Sequence, residues 1–294
     1  MSSQECNYIF KAKTKEAFVI KVLSELLYNT VKYANFKIDS EGLHFCQADA
    51  NHQQLIIFNL NRENFNSYKC PNTLNFHVNS AHLYKMLKAI KKKDMITLYI
   101  REDNTNYLWI QVNTSDEDAG AKMHIRITYN QPEVFREPIG YENPIITSSK
   151  EFQKLKHLHH NISKVMTISS VKQGQIKFFC DGGEVYSREL SLGNENQEEE
   201  EVDEDFEEYK QTFNTLHITG LTKCAGLGQS SNVQIFVQHD LPLKIKMKAG
   251  NLGDITIFIK SRERKELELK LEMERAKEKP TGGVQDDEEE EVDE

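Results

Sequence analysis

The 294-residue sequence contains no apolar run approaching the ~18 residues that a membrane-crossing helix needs, and its opening, MSSQECNYIFKAK, lacks the apolar stretch of a secretory signal. A soluble intracellular protein is the expectation. Cysteine is scarce: Cys6, Cys46, Cys70, Cys180 and Cys224 are scattered, odd in number and never in a C-x-x-C pair, so neither a disulfide framework nor a zinc site is implied. The sequence also lacks G-x-x-x-x-G-K-[ST] and G-x-G-x-x-G, which removes the usual phosphate-cradling loops. Proline is sparse, yet three of the six (Pro132, Pro138, Pro144) fall between Gln131 and Pro144, where they mark an extended linker.

The net charge of -9 is unevenly distributed. Glu195 to Glu208 holds 10 acids and Gln285 to Glu294 holds 8, with no Lys or Arg in either block; outside them, 28 acids face 37 bases. A basic body with acidic appendages admits a polyanionic partner that the overall charge taken alone disfavours.

The hydrophobic pattern repeats itself. Val19, Val22, Leu23 and Leu26 fall at helical spacing within Thr14 to Asn29, with Thr14 as N-cap, and Leu83, Met86, Leu87 and Ile90 do so within Asn79 to Lys92. Strands are expected from Tyr33 to Leu60, then at Met95 to Arg101, Tyr107 to Val112 and Lys122 to Thr128. After the linker the order returns: a helix over Ser149 to Asn161, strands Val165 to Ser170, Gln175 to Cys180, Glu184 to Leu192 and Glu208 to Phe213, and a weak helix over Asn214 to Gly226. Leu26 precedes the turn glycine Gly42 by 16 residues, and Leu158 precedes Gly174 by 16. Two diverged copies of one helix-and-strand unit follow: a domain at 1–130, a connector at 131–144 and a domain at 145–261. The acidic block, 194–209, is expected to be a long hairpin loop. Residues 262–294 are expected to form a solvated, charged tail, partly helical and ending in a disordered stretch from Pro280; Leu267, Leu269, Leu271 and Met273 recur every second residue and make no helical stripe.

Lysines recur on the non-apolar sides of these helices: Lys21; Lys85, Lys88 and Lys92; Lys150, Lys154 and Lys156; Lys223. If the helices lie side by side, these form one positive surface for phosphates. Surface helices are often lysine-rich for solubility alone, and the residue pattern leaves both readings open. No aromatic platform or arginine fork is interleaved, so base-specific readout is not expected. His157, His159 and His160 have no carboxylate or thiol at ligand spacing, so no metal and no cofactor is expected. Asp49 and His52 lack a nucleophile, and their loop can equally hydrogen-bond itself, so catalysis is not expected either.

Gly42 to Cys70 (GLHFCQADANHQQLIIFNLNRENFNSYKC) resembles the first long strand-loop-strand passage of the PCNA family of eukaryotic-type sliding clamps, through Asp49, His52, Leu55, Phe65, Tyr68 and Cys70. HDLPLKIKMKAGNLGDITIFIKSR resembles the closing strands of that family, and Ser80 to Ile90, Ser149 to Leu158 and Leu221 to Cys224 resemble its helices. The likeness spans roughly residues 7 to 262; the acidic block and the extra tail mark a divergent member, from a large DNA virus or a distant eukaryote.

The resemblance implies an α+β DNA clamp fold with two pseudo-repeated domains, each with two helices on antiparallel sheets, and three chains closing head to tail around double-stranded DNA without reading its sequence. The implied DNA-facing residues are Lys21, Lys85, Lys88, Lys154, His157 and Lys223. It also implies a DNA polymerase and a clamp loader as partners, and a pocket for PIP-type peptides made by Ala48, His52, Val134, Phe135, Pro242, Phe258 and Ile259. Ala48 stands where a larger residue is usual, and Lys260-Ser261 replaces the family's Ala-Pro. The implied subunit interface joins the strand bearing Met123, His124 and Ile125 to the one bearing Tyr186, Arg188 and Leu190. The implied location is the nucleus, or a host-cell replication compartment for a viral protein. The alternative reading is a non-encircling interaction scaffold, or a monomeric or dimeric processivity factor of the same fold.

Overall fold

Alternation of apolar and polar residues sets most strands, and the computed structural model describes residues 7–114, 120–131, 133–158, 161–172, 174–184, 186–193, 208–228 and 230–278. The first half comprises β1 (Tyr8–Thr14), α1 (Ala17–Thr30), β2 (Tyr33–Ile38), β3 (Gly42–Ala48), β4 (Gln54–Asn61), β5 (Ser67–Lys69), β6 (Leu74–Asn79), α2 (Ser80–Leu87), β7 (Met95–Arg101), β8 (Asn104–Asn113), β9 (Ala121–Arg126) and β10 (Thr128–Tyr129). The second comprises β11 (Ile145–Ser148), α3 (Ser149–Gln153), β12 (Val165–Lys172), β13 (Gln175–Asp181), β14 (Ser187–Gly193), β15 (Tyr209–Asn214), α4 (Thr215–Thr219), α5 (Thr222–Ala225), β16 (Asn232–Phe236), β17 (Leu243–Ala249) and β18 (Gly253–Ile259), and the chain continues into α6 (Arg262–Glu278).

The internal repeat is visible in strand order. β4-β3-β2-β6 in the first half matches β14-β13-β12-β15 in the second, and β1-β7-β8-β9 matches β11-β16-β17-β18. The halves join where β18 pairs antiparallel with β4, Ile255 opposite Phe58 and Ile257 opposite Ile56, which makes one nine-stranded sheet. Under the first half, α1, α2 and both sheets share a core with Phe45 stacked on Phe58 at 4.9 Å; a cavity of about 50 Å³ remains among Leu23, Leu27, Phe36, Leu83 and Leu108.

Local chemistry fixes the first repeat's turn. Asp39 accepts hydrogen bonds from the backbone N–H groups of Glu41 (2.9 Å) and Gly42 (3.3 Å) and pairs with Lys37 at 3.0 Å. Partial burial opposes its charge, but these donors and His44 outweigh that and bring its pKa down to about 2. A Cβ on Gly42 would lie 2.1 Å from the Leu60 carbonyl oxygen, so only glycine lets β3 lie this close to β4.

The helices are shorter than their apolar spacing predicts. Thr14 accepts from Glu16 N–H (3.0 Å), and α1 starts at Ala17. α2 stops at Leu87 because Asp94, buried, accepts Lys91 N–H at 2.8 Å and closes a separate turn. α3 tightens into a 3-10 turn over Lys154–His157. The expected fourth helix splits into α4 and α5 at Gly220; Thr219 and Thr222 hydroxyls bond back to Thr215 and Thr219 carbonyls, a competition that loosens helices.

One expectation is corrected and another is made specific. β14 and β15 occupy opposite edges of the four-stranded sheet, paired with β13 and β12, so the acidic segment between them does not join hairpin partners; 194–207 themselves lie outside the described residues. Sequential strands usually pair, and here β13 and β12 separate them. The start of the charged tail is the 17-residue helix α6, while 279–294 lie outside the described residues. Its Glu, Lys, Arg and Leu are strong helix formers whether or not a stripe is buried, and Leu267, Leu269, Leu271 and Met273 remain exposed. Its first turn is tied down: the Glu263 carboxylate accepts from Thr212 N–H (3.1 Å) and hydroxyl (2.7 Å), and Lys260 and Arg264 pair with Glu268. Partial burial opposes the Glu263 charge, but the Thr212 donors outweigh it and hold its pKa below the usual range. Glu263 thus occupies one backbone donor on the β15 edge, where in the first half β10 pairs with β6.

Candidate nucleic-acid interface and partner pocket

α2 packs beside α1, α1 touches α5, and α5 touches α3, so helices of both halves form one contiguous layer. This brings the expected lysines together but gives them different circumstances. Lys85 and Lys88 are exposed on α2 and its C-terminus, with no ion pair among the described residues. Lys21 is half-buried; its ammonium donates to the Ile90 carbonyl (2.9 Å) and lies 5.5 Å from the Phe18 ring centre. Lys154 is exposed and pairs with Glu151 at 2.6 Å. Lys223 is exposed and pairs with Glu25 of α1, a bridge between the two halves. His157 is exposed at the end of the 3-10 turn, and its carbonyl accepts from Arg188 (3.4 Å).

The expectation that no aromatic platform accompanies these lysines is corrected. Tyr28 of α1 and Tyr84 of α2 stack with ring centres 5.2 Å apart and 17° between planes, and Tyr28 is 48% exposed. Sequence reading missed them because Tyr28 and Tyr84 are far apart in the chain and meet only through helix packing.

The strands expected at the subunit interface are two sheet edges: among the described residues β9 pairs only with β8, and β14 only with β13. Met123 and Leu190 are half-buried, Ile125 is buried, and Arg188 and Tyr186 are exposed. His124 points away from Met123 and Ile125, its ring against Tyr107 (5.0 Å) and Trp109 (4.7 Å). In the repeat, β9 corresponds to β18 and β14 to β4, the very strands that pair within the chain.

The residues expected to line a peptide pocket lie on and beside a row that crosses five strands. Ala48, Leu55, Phe258, Lys244 and Phe236 form one row across β3, β4, β18, β17 and β16, each directly opposite the next. The connector crosses this row: Tyr141 packs on Phe236 and Phe258, donates its hydroxyl to the Pro242 carbonyl (2.7 Å), and Glu137 reaches Lys244 at 3.7 Å. The Lys244 ammonium lies 5.0 Å from the ring centres of Tyr141 and Phe236. Phe258 is 2% exposed beneath them, Pro242 is buried, Phe135 is half-buried, and Val134 is 86% exposed. Ile259 is a correction: neighbours in a strand point to opposite faces, and Ile259 shares the core side with Ile255 and Ile257 at 0% exposure. Tyr141, Leu55 and Lys244, which share this row with the expected residues, were not among them; a lone tyrosine in a proline-marked linker was the available signal.

His52 is exposed with φ 51°, and Asp49 accepts from Gln53 and Gln54 N–H at 2.7 Å each, so this pair builds the loop beside Ala48. Among the described residues no cluster of three or more metal-ligating side chains occurs, and no helix is long and apolar enough to cross a membrane; His159 and His160 lie outside them.

Comparison with known proteins agrees with this geometry. The model of the proliferating cell nuclear antigen N-terminal domain matches residues 9–131, and that of the C-terminal domain matches 137–262. The proliferating cell nuclear antigen of Chaetomium thermophilum is 24% identical over 260 residues, covering 85% of this chain and 97% of that one. That of Dictyostelium discoideum is 24% identical over 256 residues, covering 85% and 98%. The chain belongs to the proliferating cell nuclear antigen family of DNA sliding clamps, which are not enzymes.

Proposed function

We propose that three copies of this chain close head to tail into a ring around duplex DNA, slide along it, and tether a DNA polymerase. The observation that carries this reading is the β4–β18 junction. It is a working pairing between the repeat's two edges, and the same edges, β9 and β14, are left open once more in each chain. Transferring its register, with Thr14 and Thr147 as equivalent strand ends, puts Ala121 opposite Leu190, Met123 opposite Arg188 and Ile125 opposite Tyr186 of the next copy. Three such joints, the number the family implies, hide every β9 and β14 edge, and they turn the helical layer of each chain toward the hole.

Lysines then meet phosphates without reading bases, so the ring is held by topology and remains free to slide. The row under the connector is the partner site: a PIP-type peptide seats apolar side chains over Ala48 and Leu55 against Tyr141 and Pro242, with Val134 and Phe135 at the rim and the His52 loop beside it. A clamp loader opens the ring for DNA. The place of work on this reading is the nucleus, or a replication compartment of the host cell if the chain is viral.

Light scattering of the purified protein tests the assembly. The expected mass is three times the 34.1 kDa of the chain. A mass of one chain at every concentration overturns the ring.

A further inference from the structure

On α1, Tyr28 lies two turns beyond Lys21; on α2, Tyr84 lies one turn before Lys88. Their rings stack, and neither hydroxyl has a hydrogen-bond partner among the described residues. A surface aromatic pair, Tyr28 exposed and Tyr84 half-buried, with two unused donors among the described residues is not required by the core, whose side of α1 is filled by Val19, Val22, Leu23, Leu26 and Leu27. Its surroundings are cationic: Lys85 adjoins Tyr84 in sequence, Lys88 follows it by one turn, and the nearby acid of α1, Glu25, is already engaged by Lys223.

We propose that Tyr28 and Tyr84 are a non-ionic contact for the phosphate backbone of duplex DNA, their hydroxyls donating to phosphate oxygens beside the ammonium groups of Lys85 and Lys88. This rests on the helical layer being the DNA face. Charge selects the occupant, since exposed ammonium groups around the pair favour an anion over an apolar peptide. Duplex structure selects the mode: bases inside a duplex are stacked on one another and offer no face to a protein ring, whereas phosphate oxygens accept hydrogen bonds from tyrosine. Stacking also limits the rotamers of both rings, so less freedom is lost when the hydroxyls engage.

The two kinds of contact respond differently to salt. A lysine on a phosphate releases a counterion and steepens the fall of affinity with salt, while a neutral hydroxyl does not. Binding of the full-length protein to a labelled linear duplex, followed by anisotropy at several salt concentrations, separates them. Tyr28→Phe combined with Tyr84→Phe keeps the stacked rings and removes only the hydroxyls; affinity should fall about tenfold at each salt concentration with the slope unchanged. Wild-type affinity in that variant overturns the proposal. So does retention of affinity by the Phe pair but its loss in Tyr28→Ala, since that assigns the contact to the rings. If the Phe pair is silent while Lys85→Ala with Lys88→Ala weakens binding, the tyrosine contact fails and the clamp reading stands; no duplex binding by the wild type sinks both.

Discussion

Met123→Asp combined with Leu190→Asp should leave a protein that is folded but of single-chain mass, with polymerase processivity on long templates reduced to that of the polymerase alone. The register carried over from the β4–β18 junction sets these two side chains as diagonal neighbours on one face of every joint, in the places that Ile257 and Phe58 take within the chain. Two carboxylates at that spacing repel, and each lacks a partner once water is excluded. The loss is cooperative, because a ring with one open joint no longer encloses DNA. A charge-swap control separates interface from fold: Met123→Lys with Leu190→Glu should restore part of the assembly, while either aspartate alone weakens it. Unchanged mass in the double aspartate variant would place the joint elsewhere.

Lys85→Ala combined with Lys88→Ala should weaken duplex binding by more than any pair drawn from Lys21, Lys154 and Lys223. Both are exposed and without an ion pair among the described residues, whereas Lys21 is turned to the Ile90 carbonyl and Lys154 and Lys223 already hold carboxylates. Each lysine seated on a phosphate contributes about 0.9 to the slope of log affinity against log salt, so the pair accounts for roughly 2 per chain engaged. Glu25→Gln should act in the opposite direction, because it frees Lys223 for phosphate and removes a negative charge from the same face. A salt titration of the three proteins checks both signs. Equal slopes for wild type and the Lys85, Lys88 variant would show that DNA does not lie on α2.

Much of this was legible in the sequence because the signals are local. The 16-residue interval from Leu26 to Gly42 and from Leu158 to Gly174 gives the repeat, and alternating burial gives β7 at its true bounds. The missed features depend on distant residues meeting. Tyr28 and Tyr84 become a pair only after α1 packs on α2, and the pocket row from Ala48 to Phe236 exists only in the register of five strands. The opposite-edge placement of β14 and β15 is also tertiary, since each strand reads equally well as a hairpin partner of the other. The position of Ile259 is different: its parity with Ile255 and Ile257 was present in the sequence, and grouping it with Phe258 ignored the two-residue period of a strand. α6 was obscured by leucines spaced by two, although its composition favours a helix and Glu263 anchors its first turn on β15.

Encirclement is tested most directly by a linear duplex whose ends can be blocked by a bulky protein. A closed ring threads over a free end, so the clamp should bind open duplex, should fail to bind duplex blocked at both ends beforehand, and should stay through a high-salt wash when the ends are blocked after binding. Equal binding to open and pre-blocked duplex, lost equally in high salt, would mean that the lysine face touches DNA from one side and that no ring surrounds it.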